Sequence, residues 1–153
     1  MSTPVALLLH ATPDGSSHVD ILLALDEVAL DERQAEDHER VVPTWRAATR
    51  PDHTPVGTSV PLQPLKPHRG LYLRLTAPQT LDGNRGIVTP LRCGDATRID
   101  GAIEITWQDG GREVWELAGD ASSAALRVRS RVEESTQTSR PLSERGTPLP
   151  RPV

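Results

Sequence analysis

Residues 7–25 read LLLHATPDGSSHVDILLAL, and this stretch decides the fold that we expect for the chain. Two apolar runs flank Pro13-Asp14-Gly15, a combination of residues that is typical of a tight turn. The Leu, Ile and Val content of the runs favours strands on both sides of that turn. The stretch therefore predicts a β-hairpin near the start of the chain.

Three polar side chains interrupt the apolar pattern of this hairpin: His10, His18 and Asp20. Residues two apart in a strand point to the same face, so His18 and Asp20 should project together, and His10 can meet them from the paired strand. Two imidazoles and one carboxylate suit a catalytic divalent metal, because they leave positions for water or substrate. The alternative is a hydrogen-bonded surface pair, which a His-x-Asp sequence forms more often than a metal site.

The remainder of the chain also indicates short strands and tight turns. Further strands are predicted at residues 41–45, 71–76, 87–92, 98–108, 112–117 and 124–132. Residues 26–40 favour a short exposed helix or a solvated loop, and the prolines of residues 49–67 predict a long loop. We expect an all-β domain over residues 1–132, a small antiparallel β-barrel with at most one or two short helices; an open sandwich is the alternative. Residues 133–153 lack periodicity and predict a disordered tail.

The composition limits the core, the redox chemistry and the partners. The chain has 36% hydrophobic residues, no Phe and 3 Trp, so the core should consist of Val, Leu, Ile and Ala around Trp anchors. The single cysteine, Cys93, excludes an internal disulfide, and we interpret it as a small apolar residue rather than a nucleophile. The chain shows no convincing signal peptide and no apolar run as long as a membrane span, which indicates a cytoplasmic protein with no membrane partner.

The charge is unevenly distributed along the chain. The net charge is −4, but residues 41–132 carry 12 Arg and Lys against 9 Asp and Glu. A mildly basic stretch permits a phosphate-binding face without demanding one. Arg127, Arg129 and Arg131 alternate with apolar residues, which predicts either a solvated outer face or a stripe facing phosphates.

The motifs favour metal-assisted chemistry at phosphorus over other enzyme classes. No nucleophile elbow, P-loop or dinucleotide-binding fingerprint is present. A metal at the hairpin would neutralise phosphate charge and activate a water. His68 is placed to hydrogen-bond the phosphate or to protonate a leaving oxygen, and Arg69 or Arg85 to bind a non-bridging oxygen.

The order of these segments resembles the 3′-phosphoesterase domain of bacterial DNA ligase D and its stand-alone relatives. The resemblance covers roughly residues 5–120 and rests on His10, His18-Val19-Asp20, Thr44-Trp45, His68-Arg69-Gly70-Leu71-Tyr72 and Gly83-Asn84-Arg85-Gly86. It implies a small β-barrel hydrolase that removes 3′-phosphates and terminal ribonucleotides from nucleic acid in DNA repair.

The resemblance also implies a cofactor, partners and site residues. The metal, Mn²⁺ or alternatively Zn²⁺ or another transition metal, would be bound by His10, His18 and Asp20. His68, Tyr72 and Arg85 would be the catalytic residues, with His68 in contact with the phosphate. The partners would be nucleic-acid 3′ ends and a repair ligase or polymerase acting in trans, and we expect a monomer.

The sequence departs from this family at the residues that handle phosphate. Leu22 and Val60 stand where the family has arginines, Thr49 stands where it has a lysine, and Lys66 stands where it has an acidic residue. Two alternatives therefore remain open. One is a catalytically weak or inactive β-barrel module that binds nucleic acid or a partner protein, and the other is a structural barrel with a bound metal and no substrate.

Overall fold

The computed structural model describes residues 2–24, 40–119 and 124–133. The predicted helix or loop at residues 26–40 lies outside the described residues apart from Arg40, which begins a strand, and the predicted disordered tail at residues 133–153 lies outside them apart from Glu133. No described helix is both long enough and apolar enough to cross a membrane.

Nine antiparallel strands make up most of the described chain. They are β1 (Thr3–Ala11), β2 (Ser17–Leu23), β3 (Arg40–Ala47), β4 (Ser59–Arg69), β5 (Gln79–Thr80), β6 (Ile87–Ile99), β7 (Ala102–Trp107), β8 (Arg112–Gly119) and β9 (Ala124–Val132). The described helices are two 3₁₀ turns at Pro51–His53 and Gly70–Leu73. The prediction of an all-β chain with at most two short helices is confirmed.

Eight of these strands close into a barrel. β1 to β4 form one meander and β6 to β9 form another, while β1 pairs with β6 and β4 pairs with β9 to join the two meanders at both edges. β5 adds a short pairing outside the ring, against β6. Closure pairs the outer strands of the two meanders with each other, and covering sheet edges in this way is the physical reason for predicting a barrel over an open sandwich.

The interior of the barrel is apolar and receives side chains from all eight strands. Trp107 and Trp115 are its largest members, and their rings meet edge to face with centroids 5.9 Å apart. Around them pack Val5, Leu7, Val19, Ile21, Leu23, Ala47, Val60, Leu62, Ala96, Ile103, Ile105, Leu126 and Val128. The predicted core of aliphatic residues around Trp anchors is confirmed.

A second apolar layer lies on the outside of β1, β2 and β3. Its buried members are Ala6, Leu8, Leu22 and Val42. Tyr72, Leu73 and Leu75, from the segment that follows β4, pack onto it. This cover explains why the hairpin strands are apolar on both faces, and it places the segment from β4 to β5 beside the polar residues of the hairpin.

Three local predictions are wrong, and each has a physical reason. The predicted loop at residues 49–67 contains most of β4, where each half of the strand pairs with a neighbour on one side only, and a strand with one free side tolerates proline better than a strand paired on both sides. The predicted strand at residues 71–76 begins as a 3₁₀ turn, because its leucines cover the outer layer. The predicted strand at residues 98–108 is a hairpin, since Asp100 (φ 43°) and Gly101 (φ 81°) form a two-residue turn and not a bulge.

Candidate metal centre

The β1–β2 hairpin brings the three polar residues together as the sequence predicts. In the register of the pair, His10 lies opposite His18, and Leu8 lies opposite Asp20. The three side chains therefore share the outer face of the barrel with Leu8 and Leu22. Their candidate ligand atoms all lie within 4.8 Å of one another.

Asp20 is the centre of this cluster. Its carboxylate is 2% exposed, and its Oδ1 lies 3.0 Å from Nε2 of His18. Both atoms are buried and neither has a hydrogen-bond partner in the structure. Burial of two such atoms without a partner costs free energy, because each has lost its water. A cation between them would satisfy both, so the donor set fits a metal ion.

The surroundings of His18 and His10 suit metal binding. Burial lowers the pKa of His18, and the charge of Arg46 acts in the same direction against the attraction of the Asp20 carboxylate, which favours a neutral imidazole. Nε2 of His10 lies 2.8 Å from the carbonyl oxygen of Arg85. A carbonyl can only accept, so this nitrogen carries the proton and Nδ1 of His10 is a bare lone pair, 3.8 Å from Oδ2 of Asp20.

The turn between β5 and β6 holds that carbonyl in place. Gly86 has a φ of 100°, and a Cβ at this position would lie 2.0 Å from the carbonyl oxygen of Ala11. The turn is closed by a hydrogen bond that the Leu81 amide donates to the Gly86 carbonyl over 2.8 Å. The predicted turn at residues 83–86 is confirmed, and its packing against the end of β1 sets the contact between Arg85 and His10.

His68 and Tyr72 approach the cluster from the opposite side. Nδ1 of His68 lies 3.1 Å from the carbonyl of Lys66, and its Nε2 lies 3.4 Å from Oδ2 of Asp20. The Tyr72 ring meets the His68 ring edge to face, with centroids 5.9 Å apart. The structure thus places two of the predicted catalytic residues beside the metal triad, and Arg85 supplies both a carbonyl and a guanidinium there.

These residues line one cavity of about 230 Å³, and its walls are strongly basic. Arg46, Lys66, Arg69 and Arg85 all contribute to the lining. Within residues 2–24, 40–119 and 124–133, none of these four side chains forms an ion pair with a carboxylate other than those of the cluster itself. Cations left without partners around a pocket attract an anionic ligand.

Sequence reasoning missed Arg46 and assigned Lys66 no role in the site. Arg46 lies opposite Asp20 in the β2–β3 register. The available signal was the alternation of β3, because Trp45 and Ala47 face the barrel interior and Arg46 must then face outward. That reasoning needs the register between β2 and β3, which the intervening residues 24–39 do not define.

An apolar groove of about 450 Å³ adjoins the basic cavity, and Tyr72 lines both. Cys93 lies in this groove, and its thiol donates a hydrogen bond to Oε1 of Gln108, 3.0 Å away. Burial raises the pKa of Cys93, and the nearby Asp95 and Asp109 add to the effect. A thiol held in its protonated form fits the prediction that Cys93 is an apolar residue rather than a nucleophile.

No protein-family model matches this chain, and no curated protein matches it significantly.

Proposed function

We propose that this protein is a metal-dependent phosphoesterase that acts on 3′-phosphate or 3′-ribonucleotide ends of nucleic acid. The observation that carries the proposal is a single cavity in which buried metal-binding atoms without partners face four cationic side chains. Phosphate esters are anions that a metal and guanidinium groups recognise together. The choice of nucleic-acid 3′ ends is supported by the ordered resemblance to the 3′-phosphoesterase domain of DNA ligase D.

The residues of the cavity divide the work between metal binding and phosphate binding. His10, His18 and Asp20 would hold the ion, which supplies Lewis-acid polarisation of the phosphoryl group and a water of lowered pKa when it is bound. Arg46 and Arg69 would bind non-bridging oxygens, because a guanidinium can offer two parallel donors to one phosphate. Tyr72 lines the same cavity and would contact the substrate.

Arg85 combines two roles in this proposal. Its Nε donates to the carbonyl of Asp82 over 2.7 Å, which fixes the direction of the side chain. The terminal guanidinium nitrogens have no hydrogen bond within the described chain, and Arg85 is one of the residues that line the cavity. A positioned cation of this kind stabilises charge that develops in a transition state without reorganising at the moment of reaction.

Cations at other positions line the cavity of this chain, in place of the arginines that the resembled family carries at Leu22 and Val60. Leu22 is fully buried in the outer apolar layer, and Val60 is buried in the barrel interior, so neither position faces the cavity. Arg46 on β3 and Lys66 and Arg69 on β4 line it instead. We infer that phosphate binding is retained in this chain with a different set of cations.

The proposal is tested with two DNA substrates, one ending in a 3′-phosphate and one in a 3′-ribonucleotide, incubated with Mn²⁺. We expect release of phosphate or of the terminal nucleoside, and we expect His18→Ala to abolish it because a buried ligand is lost. His53→Ala is the matched control, since His53 is 65% exposed and lies outside the cavity. Failure to release either product at saturating protein would refute the proposal.

The alternative of a non-catalytic nucleic-acid module loses part of its support. Arg127 and Arg129 are exposed, but both pair with Glu116, and Arg131 pairs with Glu113. The three guanidiniums therefore do not form a stripe of unpaired cations. Salt-sensitive binding to nucleic acid that survives loss of both His10 and His18, without turnover, would favour this alternative.

A further inference from the structure

We propose that His68 is a fourth ligand of the same metal ion, so that the site consists of three imidazoles and one carboxylate. The inference rests on the metal centre of the proposed function. It departs from the resemblance, which implies that His68 contacts the phosphate.

The orientation of His68 is set by a backbone carbonyl. Nδ1 lies 3.1 Å from the carbonyl oxygen of Lys66, two residues earlier in β4. Because that oxygen can only accept, Nδ1 of the neutral ring carries the proton and Nε2 is a bare lone pair. Metal-binding histidines commonly donate their second ring nitrogen to a carbonyl in this way, which fixes the ring for the metal.

The bare nitrogen of His68 faces a carboxylate oxygen. Nε2 lies 3.4 Å from Oδ2 of Asp20, and no hydrogen bond joins these two atoms. Nδ1 of His10, whose proton lies on the other nitrogen, faces the same oxygen at 3.8 Å. Nε2 of His18 faces Oδ1 at 3.0 Å, again without a hydrogen bond. Two lone pairs, from His10 and His68, therefore face one carboxylate oxygen, and the buried Nε2 of His18 lies beside the other oxygen without a hydrogen bond. A cation among these atoms would relieve the repulsion between the lone pairs and the anion.

The distances from the three imidazoles to the Asp20 carboxylate are short enough for each imidazole to share one ion with Asp20. Two donor atoms that each lie about 2.0–2.2 Å from a metal can be at most about 4.4 Å apart. The distances from His18, His68 and His10 to the Asp20 carboxylate, which are 3.0, 3.4 and 3.8 Å, all fall within this limit. Among the described residues, the set whose ligand atoms all lie within 4.8 Å of one another is His10, His18 and Asp20, so His68 would have to move toward the other two imidazoles to complete the coordination.

The larger set of donor atoms also narrows the choice of metal. Imidazole nitrogens favour transition metals, whereas Mg²⁺ and Ca²⁺ take oxygen ligands. A site with three imidazoles and one carboxylate should therefore discriminate against Mg²⁺ more strongly than a site with two imidazoles, and Mn²⁺ serves as the transition-metal probe.

The test is the affinity for Mn²⁺ in the absence of substrate, measured by titration calorimetry on the full chain. We expect His68→Ala to weaken Mn²⁺ binding by at least about 10-fold, as His10→Ala does, while His53→Ala leaves it unchanged. Pulsed electron paramagnetic resonance of bound Mn²⁺ should show three nitrogen couplings in the wild type and two in His68→Ala. Circular dichroism and metal-free melting of each variant confirm that it is folded.

Each outcome decides the role of His68. Wild-type Mn²⁺ affinity and unchanged nitrogen couplings in His68→Ala would overturn the inference, and a raised KM in the same variant would then identify a phosphate contact. Absence of Mn²⁺ binding by the wild type would overturn it as well. Because the readout needs no substrate, absence of phosphoesterase activity would refute the proposed function and leave the fourth ligand standing.

Discussion

At the scale of the residue, Glu113 illustrates how a buried charge is accommodated in this barrel. Its carboxylate is 1% exposed on the interior face of β8, next to Trp115. One oxygen accepts from Nε1 of Trp115 at 2.6 Å and the other from Nε of Arg131 at 2.7 Å. The bulge in the β8–β9 register brings Arg131 to the interior side of its strand, whereas regular alternation would have kept it beside Arg127 and Arg129.

Replacement of Arg131 should therefore be costly for stability. Arg131→Ala leaves the Glu113 carboxylate buried with only a tryptophan as donor, and we expect it to lower the free energy of unfolding by about 3 kcal/mol or more. Arg127→Ala is the matched control, because the pair of Arg127 with Glu116 is exposed and should cost less than about 1 kcal/mol. Urea denaturation followed by tryptophan fluorescence measures both values, and equal losses would contradict the account.

At the scale of the element, the turn from β5 to β6 positions one ligand of the candidate metal centre. Its Arg85 carbonyl accepts the Nε2 proton of His10, which leaves Nδ1 for the ion. The close approach of Gly86 to Ala11 brings this turn against the end of β1. The geometry of His10 therefore depends on a glycine that contributes no side chain to the site.

Substitution of this glycine should impair metal binding. In Gly86→Ala the new methyl group would overlap the Ala11 carbonyl, the turn would move, and His10 would lose its partner, so we expect Mn²⁺ to bind about 10–100-fold more weakly. Gly101→Ala is the matched control, because Gly101 also has a positive φ (81°) but nothing lies within 4 Å of a Cβ there. The same loss of Mn²⁺ affinity in both variants would show that backbone strain, and not the contact with His10, is responsible.

At the scale of the whole molecule, a buried ion cluster ties the 3₁₀ turn after β3 to β6. Asp52 is buried and forms ion pairs with Arg50 at 2.7 Å and with Arg92 at 3.4 Å. Burial by itself would raise the pKa of Asp52, but the hydrogen bond from Arg50 and the charges of Arg50, His53 and Arg92 outweigh it and lower the pKa below the ordinary 3.8. Arg92 also lies over the ring of Trp107, 4.8 Å from its centroid.

The lowered pKa of Asp52 predicts a loss of stability in acid. A carboxyl whose pKa is depressed by folding contributes stability that is present above the unfolded pKa and disappears as the pH falls through the folded pKa. We therefore expect the melting temperature to fall as the pH drops below about 4. Asp52→Asn lacks the ion pairs of the carboxylate, so we expect it to melt at a lower temperature than the wild type at neutral pH. Its melting temperature should also change less than that of the wild type as the pH falls. Parallel curves for the two proteins between pH 6 and pH 2 would contradict this prediction.

The sequence by itself determined the all-β class, the opening hairpin and the meeting of His10, His18 and Asp20. These features depend on local alternation, turn residues and pairing across a short loop, which act between near neighbours in the chain. Sequence reasoning failed where a long-range contact overrode the local pattern. β4 tolerates its prolines because its halves pair with different strands, and the leucines after Gly70 serve as a cover for the hairpin and not as a strand.

Only the tertiary structure decided which cations surround the candidate metal ligands and where His68 points. Arg46, Lys66 and Arg69 come from β3 and β4, and their position opposite the hairpin depends on a register set after a long intervening stretch. The direction of the His68 ring depends on one backbone carbonyl. The face of β9 on which Arg131 lies depends on one bulge. Such features arise from how distant strands are aligned when the barrel closes, and a shift of one residue would turn each side chain to the other face.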